Sequence, residues 1–353
     1  MKRSLWSGLR VQLSVATVVL ALTAGWAALQ PAASLAKEQP VAIEILGAGA
    51  GGRGYTLAHV LGDVINKHGP GWIKATSSPT RGHVENILMT YKNPQRRANN
   101  VVYTGDLVID AARLGKWEFK EKISGLKLMA ITMVGVWYIQ TLDPKIKKWS
   151  DIAGKKIATD KAGSAKSRYF TDMFAQAGFP VENVKIRLKQ SKDALIAGQI
   201  DGSGGCSVYT GSEPAHHAGT IELLARKKEK LHFVTIPKEV VQKAAKATGI
   251  RYTYAEFPPK AFAPWQTEPV GGFVVCNMWG VWPEFPDKVV YEIVKTLHNN
   301  AKVFHDYHVA CRGLSKETIA WMNLRSLDEV HPEAAKFYRE KGIKVGLPET
   351  LGK

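Results

Sequence analysis

The segment Gly47-Ala48-Gly49-Ala50-Gly51-Gly52-Arg53-Gly54 constrains the fold more than any other stretch of this chain. It follows a short β-rich run, Val41 to Leu46, and precedes a helical pattern from Leu57 to Lys67. Glycines let the backbone turn tightly from strand into helix and bring N–H groups close to whatever sits above the turn. A chain that opens strand, glycine loop, helix is committed to a βα unit, and so to a sheet covered by helices.

The rhythm continues. Gly69-Pro70-Gly71 breaks the helix, Trp72 to Ser77 reads as a second strand, Val84 to Tyr91 as a helix and Val101 to Thr104 as a third strand. Leu126 to Met133 and Val136 to Ile139 are strand-like on either side of Gly135. This βαβαβ order predicts a mainly parallel sheet. It then restarts: Trp149 to Gly154 is a short capped turn, Lys156 to Thr159 a strand, Ser167 to Ala177 a helix, Val184 to Leu188 a strand, Asp193 to Gly198 a helix and Ile200 to Ser203 a strand. Val270 to Cys276 is a further β-rich run, and Lys288 to Tyr307 and Glu333 to Lys341 read as helices. No internal repeat is visible. The fold class is α/β, in two units that place a ligand where strand ends and helix N-termini converge.

Gly47, Gly49 and Gly52 satisfy G-x-G-x-x-G between a strand and a helix, which makes a Rossmann-type dinucleotide-binding oxidoreductase the serious rival. That reading needs an acid at the end of the next strand, about 20 residues on, to hold a ribose hydroxyl. Trp72 to Ser78 contains no Asp or Glu. The simpler physics is an anion site, because a helix N-terminus beside approachable backbone N–H groups favours negative charge. Gly163-Ser164-Ala165-Lys166-Ser167 repeats the arrangement in the second unit. Two such loops facing each other hold a carboxylate from both sides, and no cofactor is called for.

The N-terminus reads as an export signal. Lys2, Arg3 and Arg10 precede an apolar run from about Val11 to Leu29, and Ser34-Leu35-Ala36 suits a signal peptidase. The run is interrupted by Ser14, Thr17, Thr23 and Gly25, a poor permanent span. Cleavage near Ala36 and a periplasmic product without stable membrane insertion are expected, with an uncleaved anchor as the alternative. The formal charge of +17 favours anionic partners. Its bases are scattered, and the clusters Lys145 to Lys148 and Arg226 to Lys230 lack interleaved aromatics, which argues against nucleic acid. Cys206, Cys276 and Cys311 allow one disulfide or three buried thiols.

Several segments together resemble the TAXI family, the TRAP-associated extracytoplasmic immunogenic solute receptors, from about Val41 to Gly342. Gly49 to Tyr55 is similar to the family's glycine-tyrosine loop, Gly69-Pro70-Gly71 to its turn before the second strand, and His83-Val84-Glu85-Asn86 to Ser-Val-Glu-Asn. Gly105-Asp106 resembles Ser-Asp, Ile152 to Ile157 the D-L-x-G-K-x-V segment, Gly198 to Gly202 G-x-I-D-A, and His331 to Gly342 the terminal H-P-G-A-x-x-Y-Y-x-E-x-G. The resemblance implies a type II periplasmic-binding-protein fold with hinge closure around the ligand. The expected lobes are 37–135 and 136–269, the chain returning to the first over 270–353. It also implies a small carboxylate ligand, such as glutamate or 2-oxoglutarate. Delivery would be to the small and large membrane subunits of a sodium-driven TRAP permease, by a receptor expected to be monomeric and not an enzyme. Carried over residue by residue, the ligand site draws on Gly51, Gly52, Tyr55, Asn86, Asp106, Gly163, Ser164, Ala165, Lys166 and Ser167.

Three departures bear on the ligand. Arg53 stands where the family usually has a small hydroxyl residue, Gly54 where it has Tyr, and His83 where it has Ser. Arg53 joins the candidate site, since a guanidinium beside the glycine loop suits bidentate clamping of a carboxylate. Trp137, Tyr138, Trp265, Trp279 and Trp282 are expected chiefly in the core, with stacking on an aromatic acid as the alternative. His305, His308 and Cys311 at i, i+3 and i+6 lack a fourth ligand, so no metal is expected. His216-His217 lacks zinc-hydrolase spacing, and Asp201 and Glu213 have no nucleophile beside them.

Overall fold

The computed structural model describes residues 39–210, 214–307, 309–349 and 351, and the stretch Pro40–Lys353 forms one compact unit. The export segment lies outside the described residues. Among the described residues no helix is long and apolar enough to cross a membrane.

The first half opens as expected: β1 (Val41–Leu46), α1 (Arg53–His68), β2 (Ile73–Ser78), α2 (His83–Lys92), β3 (Asn100–Gly105) and α3 (Asp106–Leu114). β1 pairs in parallel with both β2 and β3. The restart gives β5 (Lys156–Ala158), α4 (Ala165–Phe174), β6 (Glu182–Val184), α5 (Leu188–Ile196) and β7 (Gly202–Val208), with β5 parallel to both β6 and β7. The sequence places a strand over Val184 to Leu188; instead Leu188 opens α5.

Between these halves the sheet is antiparallel, which corrects the mainly parallel expectation. The two strand-like runs around Gly135 are one strand, β4 (Lys127–Thr141). Its partner is β11 (Val270–Val281), and the path runs β2-β1-β3-β11-β4-β7-β5-β6. β11 lies antiparallel to β3 and β4, and β4 antiparallel to β7. Gly135 does not end the strand, because Met133 Cε and Cys206 Sγ lie 2.5 and 2.9 Å from where its Cβ would be. The glycine is there for close packing, not as a turn. The expected boundary at 135/136 therefore falls inside β4, and that at 269/270 falls where β11 begins.

Smaller elements complete the cover: β8 (Ala215–His216), α6 (Ala218–Lys227), β9 (His232–Val234), α7 (Lys238–Thr248), β10 (Tyr254–Phe257), α8 (Asp287–Asn299), α9 (Val303–Tyr307) and α10 (Pro332–Glu340). The helix expected over Lys288 to Tyr307 is broken between α8 and α9 at Asn300, whose Nδ2 donates to Thr296 O and whose own carbonyl accepts from Val303 N. Tyr138, Trp279 and Trp282 are fully buried, as core aromatics. Cys206, Cys276 and Cys311 are buried free thiols.

A buried ion cluster fastens the C-terminal segment to the sheet. Arg251 donates to both oxygens of Asp110 (2.7 and 2.9 Å) and of Glu329 (2.7 and 2.9 Å). Arg325 makes a second fork onto Asp110, and Arg113 pairs with Glu329. Burial opposes ionisation of both acids, yet the bonds from Arg325 and Arg251 to Asp110, and from Arg251 and Arg113 to Glu329, outweigh it and lower both pKa values. Breaking such a cluster leaves buried charge unpaired, at about 3–5 kcal/mol. Arg251→Met is expected to destabilise the fold on that scale in urea denaturation at pH 7. Because the folded pKa values are depressed, the cluster's contribution is present above the ordinary carboxylate range and lost as pH falls through the folded values. The gap between wild type and Arg251→Met should therefore shrink at low pH; a constant gap would refute this account.

Candidate functional site

The glycine loop turns as its composition demands. Gly51 has φ +72°, the Gly52 N–H donates to Gly49 O at 2.9 Å, and Gly52 caps α1 with no side-chain bond. The first-turn N–H groups of Arg53 and Gly54 face outward from the helix start, as helix geometry requires. Asn86 anchors the loop from α2: its Nδ2 donates to Gly47 O and Tyr103 O, both at 2.8 Å. Its Nδ2 donor is thus spent on the ends of β1 and β3, which positions the loop, while its Oδ1 is buried without a partner. Tyr55 stacks edge-on against His59, ring centres 4.3 Å apart, along the same helix.

Gly54 has a steric reason. A Cβ there would lie 2.4 Å from Tyr103 Cε1 and 2.8 Å from Ala48 Cβ, because the buried Tyr103 ring lies against this position. The side chain missing from position 54 is matched by one arriving from β3.

The second loop follows the same plan. Gly163 has φ +73°, and Ser164 caps α4 by accepting from Ser167 N at 3.2 Å. Ala165 begins the helix. Ser167 is buried and its hydroxyl accepts from Lys185 Nζ at 2.8 Å. Lys166 faces Asp160 at 3.6 Å and lies 6.0 Å from the Trp137 ring centre.

The two loops meet electrostatically. Burial lowers the Lys166 ammonium's pKa, Asp160 works against that, and Arg53 adds to it. His83 is held down to about 3 by burial, with Lys166 and Arg53 pushing the same way, so its ring is neutral. Burial pushes Cys206 up to about 11 while Arg53 and Lys166 pull against it. The Arg53 charge acts also on Tyr103 and Cys311. Arg53 thus stands among groups from both halves, and among the described residues no acid pairs with it.

The decisive feature is unused hydrogen-bonding capacity. Arg53 Nε and Nη1 are buried without partners, and so are His83 Nδ1, Thr104 Oγ1, Trp137 Nε1, Tyr169 OH and Asn277 Oδ1. Two of these orphans come together at Gly105. Asn277 Oδ1 and His83 Nδ1 lie 3.2 and 3.5 Å from where a Gly105 Cβ would be, and Trp137 Nε1 lies 3.7 Å from that of Gly135. Orphaned polar groups are rare in folded proteins because each costs about 1–3 kcal/mol, and a cluster of them marks a place for a ligand or water.

Asp106 is bonded within the fold. Its oxygens accept from Cys276 N at 3.0 Å and from Asn323 Nδ2 at 2.9 Å, tying α3 to β11 and the C-terminal segment. Burial pushes its pKa up to about 7 despite Arg251 and these bonds. Thr104, Tyr169, Trp137 and Asn277 were not singled out for the site from the sequence. The register of β11 against β4 shifts between Asn277 and Met278, leaving Thr132 as the extra residue of β4, and no sequence pattern signals that.

The motifs set aside have local structural roles. The Asp201 carboxylate accepts from Lys156 N at 2.7 Å, and His216 Nδ1 shares a bond with Ser207 Oγ at 2.8 Å. His305 Nε2 bonds Leu314 O at 2.7 Å. His308 and Glu213 lie outside the described residues.

Comparison with known proteins supplies the remaining findings. The model of the NMT1-like family matches residues 45–342. The solved structure of MatC from Rhodopseudomonas palustris with bound malate superposes with TM-score 0.51 at 12% identity, covering 86% of this chain and 97% of that one. A TctC solute-binding protein from Polaromonas gives TM-score 0.46 at 12% identity, covering 90% and 92%. The periplasmic binding protein BugD gives 0.47 at 13%, covering 87% and 99%. No curated protein matches in sequence. The α/β architecture is that of the two-lobed periplasmic binding proteins, and its antiparallel centre disfavours the Rossmann alternative.

Gly54→Ala should test the loop's fit. The added Cβ must displace Tyr103 or the glycine turn, an overpacking cost of about 1–3 kcal/mol. A melting temperature unchanged from wild type would contradict the close Gly54–Tyr103 approach.

Proposed function

The chain belongs to the NMT1-like family, and from that premise we propose that it is an extracytoplasmic solute-binding receptor. It captures a small organic carboxylate between two lobes and releases it to a membrane transporter. The observation that carries this reading is the Arg53 guanidinium, with two buried N–H donors unspent and no acid beside it. Buried donors left without a partner cost about 1–3 kcal/mol each, a cost that a bound acceptor removes. An anion arriving between Arg53 and the helix start at Ala165 relieves that cost, and its binding energy is then available to hold the lobes together.

The proposed ligand site comprises Gly51, Gly52, Arg53 and the Gly54 N–H on one side, and Gly163 to Ser167 on the other. Tyr55, Asn86 and Asp106 support it from behind. The hinge is assigned to β4 and β11, the long strands shared by both halves of the sheet. Of the transporter types, the motif order from Gly49 to Gly342 favours a TRAP-type secondary permease with a receptor of the TAXI class. Export to the periplasm rests on the N-terminal signal pattern.

A receptor of this kind gains stability from its ligand by mass action, about 2.7 kcal/mol at a hundredfold excess over Kd. A thermal-shift screen of the purified protein against organic acids and amino acids should yield a rise in Tm for a subset of carboxylates. Arg53→Gln should abolish that rise without lowering the Tm of the unliganded protein, since it removes an unpaired charge. No response to any carboxylate, or an undiminished response in Arg53→Gln, would sink the reading.

A further inference from the structure

This inference rests on the receptor reading and names a position that sets its selectivity. Gly105 ends β3 and caps α3, buried, with φ −139° and ψ 154°. That is extended backbone, which any residue adopts. Crowding does not demand a glycine either. A Cβ on Gly272, Gly54 or Gly135 would lie 1.9, 2.4 or 2.5 Å from its nearest neighbour, whereas on Gly105 the nearest atom is 3.2 Å away. Glycine costs about 0.5–1 kcal/mol relative to Ala in such a strand. It also caps α3 with no side-chain bond, where Ser or Asp would supply one. Neither conformation nor packing accounts for it.

What the missing side chain leaves is a polar niche. The three atoms nearest the absent Cβ are Asn277 Oδ1 at 3.2 Å, Cys276 O at 3.5 Å and His83 Nδ1 at 3.5 Å. Asn277 is 4% exposed, and its Oδ1 and the His83 Nδ1 have no partner. The two oxygens only accept, and a neutral imidazole nitrogen accepts or donates according to its tautomer. Asn86, one turn along α2 from His83, adds another buried acceptor without a partner, Oδ1, and Glu118 Oε2 is a further one beside the second loop. A methyl group at position 105 would face the niche's acceptors with nothing to donate; an O–H or N–H would satisfy them. Glycine in a strand often marks a place where a ligand comes close. The Tyr103 ring stands edge-on to His83 at 4.7 Å and lies against Gly54, so it touches both the niche wall and the loop that carries Arg53. We infer that Gly105 is a specificity-determining position: the niche it leaves open receives an O–H or N–H donor of the ligand, held by Asn277 Oδ1, while the ligand's carboxylate engages Arg53. Hydroxy and amino acids are then favoured over the unsubstituted acids of the same length.

Calorimetric titration of the purified protein with two series tests this: propionate, lactate and alanine, and glutarate, 2-hydroxyglutarate and glutamate. In at least one series a donor-bearing acid should bind about tenfold or more tighter than its donor-free parent, the scale of one buried hydrogen bond. In Gly105→Ala, whose Cβ occupies the niche, that preference should fall to about threefold or less. Asn277→Ser withdraws the acceptor without touching Gly105 and should reduce the preference likewise. Propionate and glutarate binding as tightly as their partners in the wild type, or a preference retained in either variant, would overturn the assignment and make the niche a hydration site, with the receptor reading left in place. Absence of binding by all six acids would also overturn it, and the thermal-shift screen decides separately whether the receptor reading goes with it.

Discussion

Everything in this molecule hangs on the antiparallel pairing of β4 with β11. The register runs from Phe273 opposite Trp137 to Val281 opposite Lys127, and both strands are buried along nearly their whole length. The approach is close enough to dictate residue type: a Cβ on Gly272 would lie 1.9 Å from Trp137 O. No side chain can stand there without parting the strands. Each half of the sheet is a three-stranded parallel unit, β2-β1-β3 or β6-β5-β7, that reaches the centre through one antiparallel neighbour. The two long strands therefore connect the halves that carry the two glycine loops, with Trp137 on β4 and Asn277 on β11.

This topology explains a symmetry that the residues themselves hide. No repeat is visible in the sequence, yet each half presents a glycine at positive φ followed by a helix start, Gly51 before α1 and Gly163 before α4. The chemistry of the two starts differs. The first has no side-chain cap and carries Arg53, whereas the second is closed by Ser164 and carries Lys166 already facing Asp160. One end is electrostatically open and the other is nearly satisfied.

Much of this was legible in advance because local rules dominate the outer strands. Val41–Leu46 was read to the residue, since a β-branched run bounded by glycine has few alternatives. The centre was not legible. Gly135 looked like a break because glycine usually punctuates a strand, and only the Cys206 and Met133 side chains packed against it show why it sits inside one. The site divided the same way. Arg53 and Lys166 stood beside recognisable loops, whereas Thr104, Trp137, Tyr169 and Asn277 reach the cleft through strand register, a helix face and a bulge, which are properties of pairing partners far away in sequence. Asn86 and Asp106 stand out by motif, but a motif does not show which of their atoms are bonded within the fold: Asn86 Nδ2 and both Asp106 oxygens are, and Asn86 Oδ1 is not.

The orphaned groups also connect stability with function. A core that left Arg53, Trp137, Tyr169 and Asn277 unsatisfied would ordinarily be disfavoured by several kcal/mol. The chain tolerates this where both halves of the sheet bring their loops together and fastens the structure elsewhere, through the Asp110–Arg251–Glu329 cluster, in which acceptors and donors are matched almost completely. The two clusters are opposite uses of buried arginine. Arg251 is saturated by two carboxylates and locks the C-terminal segment; Arg53 is left without one. A second carboxylate supplied from solution would do for the glycine loops what Asp110 and Glu329 do for the C-terminus, with the difference that it can leave. Reversible closure needs a pairing as strong as a structural one but not covalently part of the chain, and an unpaired arginine between two helix starts meets that requirement.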